Sequence, residues 1–138
     1  MLKVKKLSEN GKIMTKAYEG DAGYDIFCSV SCQIPPMTTT KIKTDIAIAL
    51  PAGYFAEIRD RSSVASKGVF TVAGIIDNGY RGEIMVVMYN STHDTFYFEK
   101  HSKIAQVLIH KIEHFQILEV ESLDDSTRGS KGFGSSGE

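Results

Sequence analysis

Three short segments of the chain carry side chains that suit phosphate groups. Arg61 is followed by Ser62 and Ser63, Arg128 precedes Gly129, and a glycine-rich stretch near the end contains Ser135-Ser136. A guanidinium can bind phosphate oxygens through two parallel hydrogen bonds, and serine hydroxyls add short donors. Glycines let backbone N–H groups approach an anion closely. The three segments share the chemistry of phosphate binding, but each alone is weak evidence, because a stretch such as Arg-Ser-Ser is more often a solvated loop.

A single carboxylate, Asp77, stands out in the turn-like sequence GIIDNGYRGEI at 74–84. Asn and Gly tolerate the backbone of tight turns, so Asp77-Asn78-Gly79 predicts a hairpin loop. An aspartate at such a turn either accepts hydrogen bonds from its own backbone or takes part in a reaction. Likewise, Tyr80 and Arg81 are either surface residues or part of a site. Position along the chain leaves both interpretations open.

The histidines and cysteines do not predict a metal centre. His110 and His114 are four residues apart, but HKIEH lacks the order of the zinc-protease helix motif and lies in a strand-like region. Cys28 and Cys32 are too few for a disulfide framework or a zinc site. We expect them to be reduced, partly buried thiols on one strand, which indicates a reducing compartment.

Composition narrows the class of protein. The chain has 138 residues, of which 42% are hydrophobic and 24% charged, so a single globular domain with a real core is expected. A net charge of −1 argues against a general nucleic-acid or membrane-surface binder. The N-terminal segment MLKVKKLSENGK has no apolar region typical of a signal peptide. These features predict a cytoplasmic protein, or a nuclear one in a eukaryotic or viral setting, with no nucleic-acid or membrane partner.

Alternating hydrophobicity predicts the elements that must position these residues. Apolar residues occupy every second position over 26–34, over 42–50 with Thr44 filling one gap, and over 54–58. Further predicted strands cover 2–6, 69–76, 83–90, 95–99, 104–112 and 115–123. Only 62–67 could form a helical turn. Short strands separated by turns predict an all-β sandwich or barrel.

The chain divides into a folded part, 1–123, and a glycine-rich arm, 124–138. The last residues, RGSKGFGSSGE, cannot bury enough apolar area to fold alone. By composition the arm resembles a solvated terminus or linker, although Phe133 among glycines is unusual for one.

Five segments, taken in order, resemble the five motifs of the trimeric deoxyuridine triphosphatase (dUTPase) family. They are DAGYDIF at 21–27, RSSVASKG at 61–68, GIIDNGYRGEI at 74–84, KIAQVLI at 103–109 and RGSKGFGSSG at 128–137. The resemblance implies a distorted jelly-roll or β-clip barrel that forms a homotrimer, with active sites between subunits and each arm closing a neighbouring site. It also implies hydrolysis of dUTP to dUMP and pyrophosphate with Mg²⁺, which limits uracil incorporation into DNA.

The resemblance assigns roles residue by residue. Asp77 matches the catalytic aspartate that activates a water against the α-phosphorus, and an aspartate is ionised at neutral pH. Asp25 matches the aspartate that reaches the metal through water. Tyr80 matches the ring that packs under the deoxyribose and leaves no room for a 2′-hydroxyl.

The remaining matched positions bind substrate. Those near uracil are Thr71, Gly74, Ile75, Ile76 and Met85. Those near the phosphates are Arg61, Ser62, Ser63 and Gln106. In the arm, Arg128 would bind the γ-phosphate and Phe133 would stack on uracil, with Gly134, Ser135 and Ser136 beside them.

Several positions depart from the family pattern. Asp60 replaces a usual proline and places a negative charge beside the expected triphosphate, Ser63 replaces a glycine, and 101–103 reads His-Ser-Lys where Gly-Asp-Arg is common. Thr71 and Ser136 also replace an asparagine and a threonine seen in relatives. The changes at Asp60, Ser63 and 101–103 leave open a catalytically weakened dUTP-binding regulatory module. A dCTP deaminase relative, which shares the fold, is a second alternative.

Overall fold

Eleven short strands and one helical turn form the secondary structure of residues 1–132, the part of the chain that this computed structural model describes. The elements are β1 (Lys3–Lys6), β2 (Tyr24–Phe27), β3 (Cys32–Ile34), β4 (Thr38–Lys43), β5 (Ile46–Ala49), β6 (Tyr54–Arg59), α1 (Ser62–Ala65), β7 (Val69–Thr71), β8 (Ile75–Ile76), β9 (Met85–Asn90), β10 (Phe96–Phe98) and β11 (Lys103–Lys111). The predicted all-β class and the helical turn after position 61 are confirmed. Within this range no helix has the length and apolar character needed to cross a membrane.

The strands form a jelly-roll-like arrangement of small antiparallel sheets. One sheet has four strands in the order β2-β11-β6-β8, and another has three in the order β4-β9-β7. Two further pairs, β1-β5 and β10-β3, complete the structure. Because β11 lies between β2 and β6, it brings the beginning of the chain and its middle to one surface.

A core of aliphatic side chains packs between the sheets, and the alternating pattern predicted most of it. The largest fully buried apolar side chains are Ile26, Ile34, Ile42, Ile46, Val69, Ile84, Val86, Met88, Ile104 and Val107. Burying a side chain of this size contributes about 1.5–3 kcal/mol. The core therefore draws on strands from the whole length of the folded part, and it fixes the sheets that carry the site.

Three predicted strands are each divided in two, so these predictions were wrong in extent. The run over 26–34 stops at Phe27 and resumes at Cys32, with Val30 exposed between them. Cys28 and Cys32 therefore do not share a strand, although both are free thiols and at least partly buried. The run over 69–76 divides because β7 pairs with β9 whereas β8 pairs with β6.

The predicted run over 42–50 divides at Thr44-Asp45. Asp45 has a φ of 50°, and the Oε1 atom of Glu83 accepts the N–H groups of Thr44 (3.3 Å) and Asp45 (3.0 Å). Strand β4 then pairs with β9, and β5 pairs with β1. A glutamate side chain thus takes the place of a partner strand at this break.

Two further predictions were wrong. Residues 115–123 form no strand, and the apolar side chains there are exposed: Phe115, Ile117, Leu118, Val120 and Leu123. The segment at 77–84 is not a hairpin loop, because β8 and β9 belong to different sheets. It crosses between the sheets and contains a tight turn in which the N–H of Tyr80 donates to the carbonyl oxygen of Asp77 (3.0 Å).

The carboxylate of Asp45 supports the break between β4 and β5 and should make stability depend on pH. The Ser8 hydroxyl donates to it (2.6 Å) and Lys43 pairs with it (3.2 Å), and both lower the pKa of Asp45. A lowered pKa means that this stabilisation is present above the carboxyl's unfolded pKa and is lost as the pH falls through the folded value.

We expect Asp45→Asn, which tolerates the same left-handed backbone, to reduce the free energy of unfolding at pH 7 by about 1 kcal/mol. The difference from wild type should shrink toward pH 3. Urea denaturation of both proteins at the two pH values measures it. An equal difference at both would show that the charge of Asp45 does not matter.

Candidate active site

A cleft of about 220 Å³ lies between β8, the crossing segment 77–84 and the start of β9. Its lining residues are Ile58, Ala73, Gly74, Ile75, Ile76, Asp77, Tyr80, Glu83, Ile84, Met85 and Val87. Six of these were predicted from the sequence as site residues, namely Gly74, Ile75, Ile76, Asp77, Tyr80 and Met85. The fold therefore gathers the predicted catalytic aspartate, sugar-contacting ring and base-contacting segment around one cavity.

One wall of the cleft is the backbone of an edge strand. Strand β8 pairs with β6 on one side only, so backbone groups on its other side are available to a ligand. The carbonyl oxygen of Gly74 accepts the N–H of Ile58 (2.8 Å), and a Cβ at Gly74 would lie 2.6 Å from the carbonyl oxygen of Ile58. Only glycine therefore allows this close approach to β6.

Tyr80 forms another part of the wall and is held by its hydroxyl. The hydroxyl donates to the carbonyl oxygen of Glu83 (2.8 Å), and 47% of the residue is exposed. A Cβ at Gly82 would lie 2.5 Å from this hydroxyl oxygen, so Gly82 leaves the space that the ring occupies. The ring is thus fixed in orientation while it stays accessible to a ligand.

The carboxylate of Asp77 is exposed at the edge of the cleft. Among residues 1–132 no hydrogen bond or ion pair engages its oxygens. Arg81, its close neighbour in sequence, instead donates to the carbonyl oxygens of Asn78 (2.8 Å) and Tyr80 (2.9 Å). Asp77 is therefore free to accept a proton from a water molecule, whereas Arg81 stabilises the segment.

A second group of predicted residues surrounds Asp25 on β2. Its carboxylate lies 2.6 Å from Nζ of Lys103 and 3.4 Å from Nε of Arg61. Arg61 also donates to the carbonyl oxygen of Lys103 (3.2 Å). Two cations against one carboxylate leave this surface with a net positive charge, which suits phosphate oxygens.

Gln106 faces Asp25 directly across the β2–β11 pairing. Its Nε2 atom donates to the carbonyl oxygen of Asp60 (2.8 Å). A Cβ at Gly23 would lie 2.5 Å from Oε1 of Gln106, so a larger residue there would displace this side chain. The amide is therefore held in place beside Arg61, Lys103 and Asp25, which together are called the cationic group.

Asp60, a departure from the family pattern, has a structural partner. Its Oδ1 atom accepts the backbone N–H of Thr71 at 2.6 Å, which ties the end of β6 to β7. The N–H of Thr71 is thereby occupied, and Thr71 does not line the cleft described above. The negative charge at position 60 is thus directed at a backbone donor of the same chain.

The other predicted residues lie beside the second group, away from both groups, or outside the described residues. Ser62 and Ser63 are exposed at the start of α1, next to Arg61. Arg128 is exposed and donates to the carbonyl oxygen of Lys131 (3.1 Å), so it joins neither group. Phe133, Gly134, Ser135 and Ser136 lie outside the described range.

Lys103 belongs to the group around Asp25, although the sequence did not predict it there. In the sequence it belonged to an unexplained departure at 101–103, but in the fold its ammonium lies against Asp25. The sequence feature that could have indicated Lys103 is its place at the start of the strand that also carries Gln106, a predicted phosphate-binding residue. It could be used only once the pairing of β11 with β2 was known.

The residues present suit a Mg²⁺ ion that is held mainly by a bound phosphate-containing molecule rather than by protein side chains. Within residues 1–132 no three His, Cys, Asp or Glu side chains are grouped in a way that could enclose a metal ion. Mg²⁺ usually keeps several waters and is held by one or two carboxylates together with substrate phosphates. Asp25, at 16% side-chain exposure in a cation-rich surface, could supply such a carboxylate through water.

Comparison with protein families and with curated proteins gives a consistent result. The dUTPase family model matches residues 9–137. A deoxyuridine 5'-triphosphate nucleotidohydrolase of Clostridioides difficile is 45% identical, covering 99% of this chain and 97% of the relative. The mitochondrial human protein of the same name is 42% identical, covering 99% of this chain and 54% of its own length.

Solved structures agree with the sequence comparisons. A dUTPase of Staphylococcus bacteriophage 80alpha with bound dUPNHPP superposes with a TM-score of 0.93 at 32% identity, covering 100% of this chain and 99% of the other. A mutant dUTPase from phage phi11 of S. aureus, described with a structural Mg(II) ion, gives a TM-score of 0.84 at 28% identity, covering 91% and 99%.

Proposed function

Since this chain belongs to the dUTPase family, we propose that it converts dUTP to dUMP and pyrophosphate through a water molecule activated by Asp77. The observation that carries the proposal is an exposed carboxylate without a protein partner in the described part of the chain, placed at the edge of a cleft built from a strand edge and a fixed tyrosine ring. In a cell this reaction would limit the incorporation of uracil into DNA.

Uracil would bind against the backbone of Gly74, Ile75 and Ile76, with Met85 across the cleft. Main-chain N–H and C=O groups at a strand edge present donors and acceptors in a fixed order. Such an edge can pair with the polar atoms of uracil as another base would. The cytosine amino group would meet a donor where uracil offers an acceptor, which opposes its binding.

Tyr80 would exclude ribonucleotides. Its ring is fixed by the hydrogen bond to Glu83, so it cannot easily move away from an added 2′-hydroxyl. Clash with a rigid group is an effective way to reject a ligand that differs by one oxygen. UTP should therefore be a much poorer substrate than dUTP.

The triphosphate would contact the cationic group. Arg61 would bind phosphate oxygens together with Ser62 and Ser63, and Gln106 would lie near the α-phosphate. Mg²⁺ bound to the triphosphate, with Asp25 reaching it through water, would neutralise negative charge on the departing pyrophosphate. Asp77 would orient a water in line with that leaving group and accept its proton, while positioning and charge supply most of the acceleration.

The complete site would form between subunits of a homotrimer. In this chain the residues that line the cleft include none of Asp25, Arg61 or Gln106, so the two groups do not share one cavity. Residues 1–123 would form the folded body, and 124–138 would act as an arm over a neighbouring site. There Arg128 would bind the γ-phosphate and Phe133 would stack on uracil, with Gly134, Ser135 and Ser136 beside them.

The family departures favour an active enzyme over a weakened regulatory module. Asp60 is engaged by the Thr71 N–H, and Lys103 supports Asp25, so both changes have roles within the chain. Catalysis is tested by incubating the purified protein with Mg²⁺ and measuring pyrophosphate release from dUTP, UTP, dCTP and dTTP.

Release from dUTP alone is expected. Tight dUTP binding without turnover would indicate a regulatory module instead. Ammonia release from dCTP would indicate a deaminase.

A further inference from the structure

We propose that Asn78 is a positioning residue for the hydrolysis, holding the turn that carries Asp77 at a fixed place beside the cleft. Its Nδ2 atom donates to the carbonyl oxygens of Pro51 (2.7 Å) and Tyr54 (2.8 Å). These contacts link the turn to the loop after β5, through Pro51, and to the first residue of β6, Tyr54. The proposal rests on the proposed function, because it concerns the geometry of the same carboxylate.

A side-chain amide suits the chemistry of these contacts. Both neighbours are backbone carbonyls, which only accept hydrogen bonds, so the amide nitrogen of Asn78 must face them. An uncharged NH₂ group supplies two donors from one atom, and both are used here. Serine would supply one donor, and aspartate would place oxygens against oxygens.

The acceptor loop is itself well supported. It ends where β6 begins, and the carbonyl oxygen of Gly53 accepts the N–H of Ile112 (2.9 Å). Gly53 has a φ of 79°, a left-handed conformation that favours glycine. Asn78 therefore binds the start of β6, in the four-stranded sheet, and a loop that is itself hydrogen-bonded to Ile112.

Asp77 depends on its neighbours for its position because its carboxylate has no partner in the described part of the chain. On one side Ile76 is buried and pairs with Ala56 on β6. On the other side Asn78 donates to the carbonyl oxygen of Tyr54, the first residue of β6. The turn that carries Asp77 is thus attached to β6 on both sides of the carboxylate. Removing the Asn78 contacts leaves only local bonds on that side, from the Tyr80 N–H to the Asp77 carbonyl and from Arg81 to the Asn78 carbonyl.

Loss of this attachment should affect turnover more than binding. The base-contacting strand and the cationic group are held by other contacts, namely the β6–β8 pairing and the Asp25–Lys103 pair. A displacement of about 1 Å at a reacting group can reduce the rate about 100-fold. The expected signature is therefore a lower kcat with nearly unchanged nucleotide affinity.

The test compares Asn78→Asp, which keeps the shape but removes both donors, with Asn78→Ser, which keeps one. We measure kcat with dUTP, normalised to the concentration of folded protein. We also measure the dissociation constant of dUpNHpp (dUPNHPP), the analogue bound in the phage 80alpha structure. For Asn78→Asp we expect kcat to fall about 10–100-fold and the dissociation constant to change less than about threefold. The kcat of Asn78→Ser should lie between those of Asn78→Asp and the wild type. If Asn78→Asp does not fold, Asn78→Ser alone provides the test.

Asn90 on β9 provides a matched control. Its Nδ2 atom donates to the carbonyl oxygens of Ile34 (2.9 Å) and Asp94 (2.7 Å), the same kind of double contact away from the cleft. Asn90→Asp, or Asn90→Ser should the former not fold, is expected to lower the Tm but to leave kcat per folded molecule unchanged.

The possible outcomes separate the two proposals. Unchanged kcat in the Asn78 variants would overturn the positioning role, as would losses of kcat and affinity in parallel. A wild-type protein that releases no pyrophosphate from dUTP would overturn the proposed function instead. An active wild type with fully active Asn78 variants would overturn the positioning role alone.

Discussion

Replacing Asp77 with asparagine is expected to reduce kcat for dUTP by about 10³-fold, within the range that a positioned general base contributes. The amide has nearly the same size but cannot take the proton of the attacking water. Because no protein group binds the carboxylate in the described part of the chain, the free energy of unfolding should change by less than about 0.5 kcal/mol. Binding of dUpNHpp should persist, since the cleft and the cationic group stay intact.

Steady-state hydrolysis, calorimetric binding and thermal melting measure these three quantities for Asp77→Asn. Asp94→Asn is a suitable control, because Asp94 is exposed and its side chain has no partner among residues 1–132. That control should keep wild-type activity. A kcat for Asp77→Asn within tenfold of wild type would mean that another group activates the water.

Deleting residues 128–138 is expected to leave a folded protein with severely reduced activity. Residues 128–132 are exposed and contribute nothing to the core, so their loss removes little apolar burial. The deletion also removes Arg128 and Phe133, the proposed contacts to the γ-phosphate and to uracil. Stacking on a base is worth about 1–3 kcal/mol, and a charged hydrogen bond about 1.5–3 kcal/mol.

Together these contributions predict a fall of at least about 10²-fold in kcat/KM. Circular dichroism melting, analytical ultracentrifugation and steady-state kinetics on the truncated chain test this. Phe133→Ala and Arg128→Ala should each cause part of the loss. Unfolding on truncation, or full activity without the arm, would contradict the division into a body and an arm.

Alternation predicted the core better than it predicted the strand ends. Ile42, Thr44 and Ile46 are all buried, so the pattern continues through the break at Thr44-Asp45 and gives no sign of it. The break depends on Glu83, which comes from a distant part of the chain. A period of two identifies the buried face of a strand but not the strand with which it pairs.

The same limit explains the wrong predictions at 77–84 and 115–123. Asp77-Asn78-Gly79 correctly indicated a turn, but the pairing of β8 with β6 is non-local. Residues 115–123 contain the apolar and aromatic residues that strands favour, yet a strand also needs a pairing partner, and no strand of the described chain pairs with them.

The sequence predicted individual residues of the candidate site but not how they are arranged relative to one another. Segment resemblance located Asp77 and Tyr80, which the fold places around one cleft. The contact between Asp25 and Lys103 depends on the register of β2 with β11, and the anchoring of Asn78 depends on the loop before β6. Neither follows from residue spacing, because each joins segments that are far apart in sequence.

Hydrolysis of dUTP in water enriched with ¹⁸O, followed by mass spectrometry of both products, tests the central claim most directly. If Asp77 directs a water at the α-phosphorus, the heavy oxygen will appear in dUMP and the pyrophosphate will carry none. Heavy oxygen in the pyrophosphate would show attack at the β-phosphorus, and the assigned role of Asp77 would then be wrong.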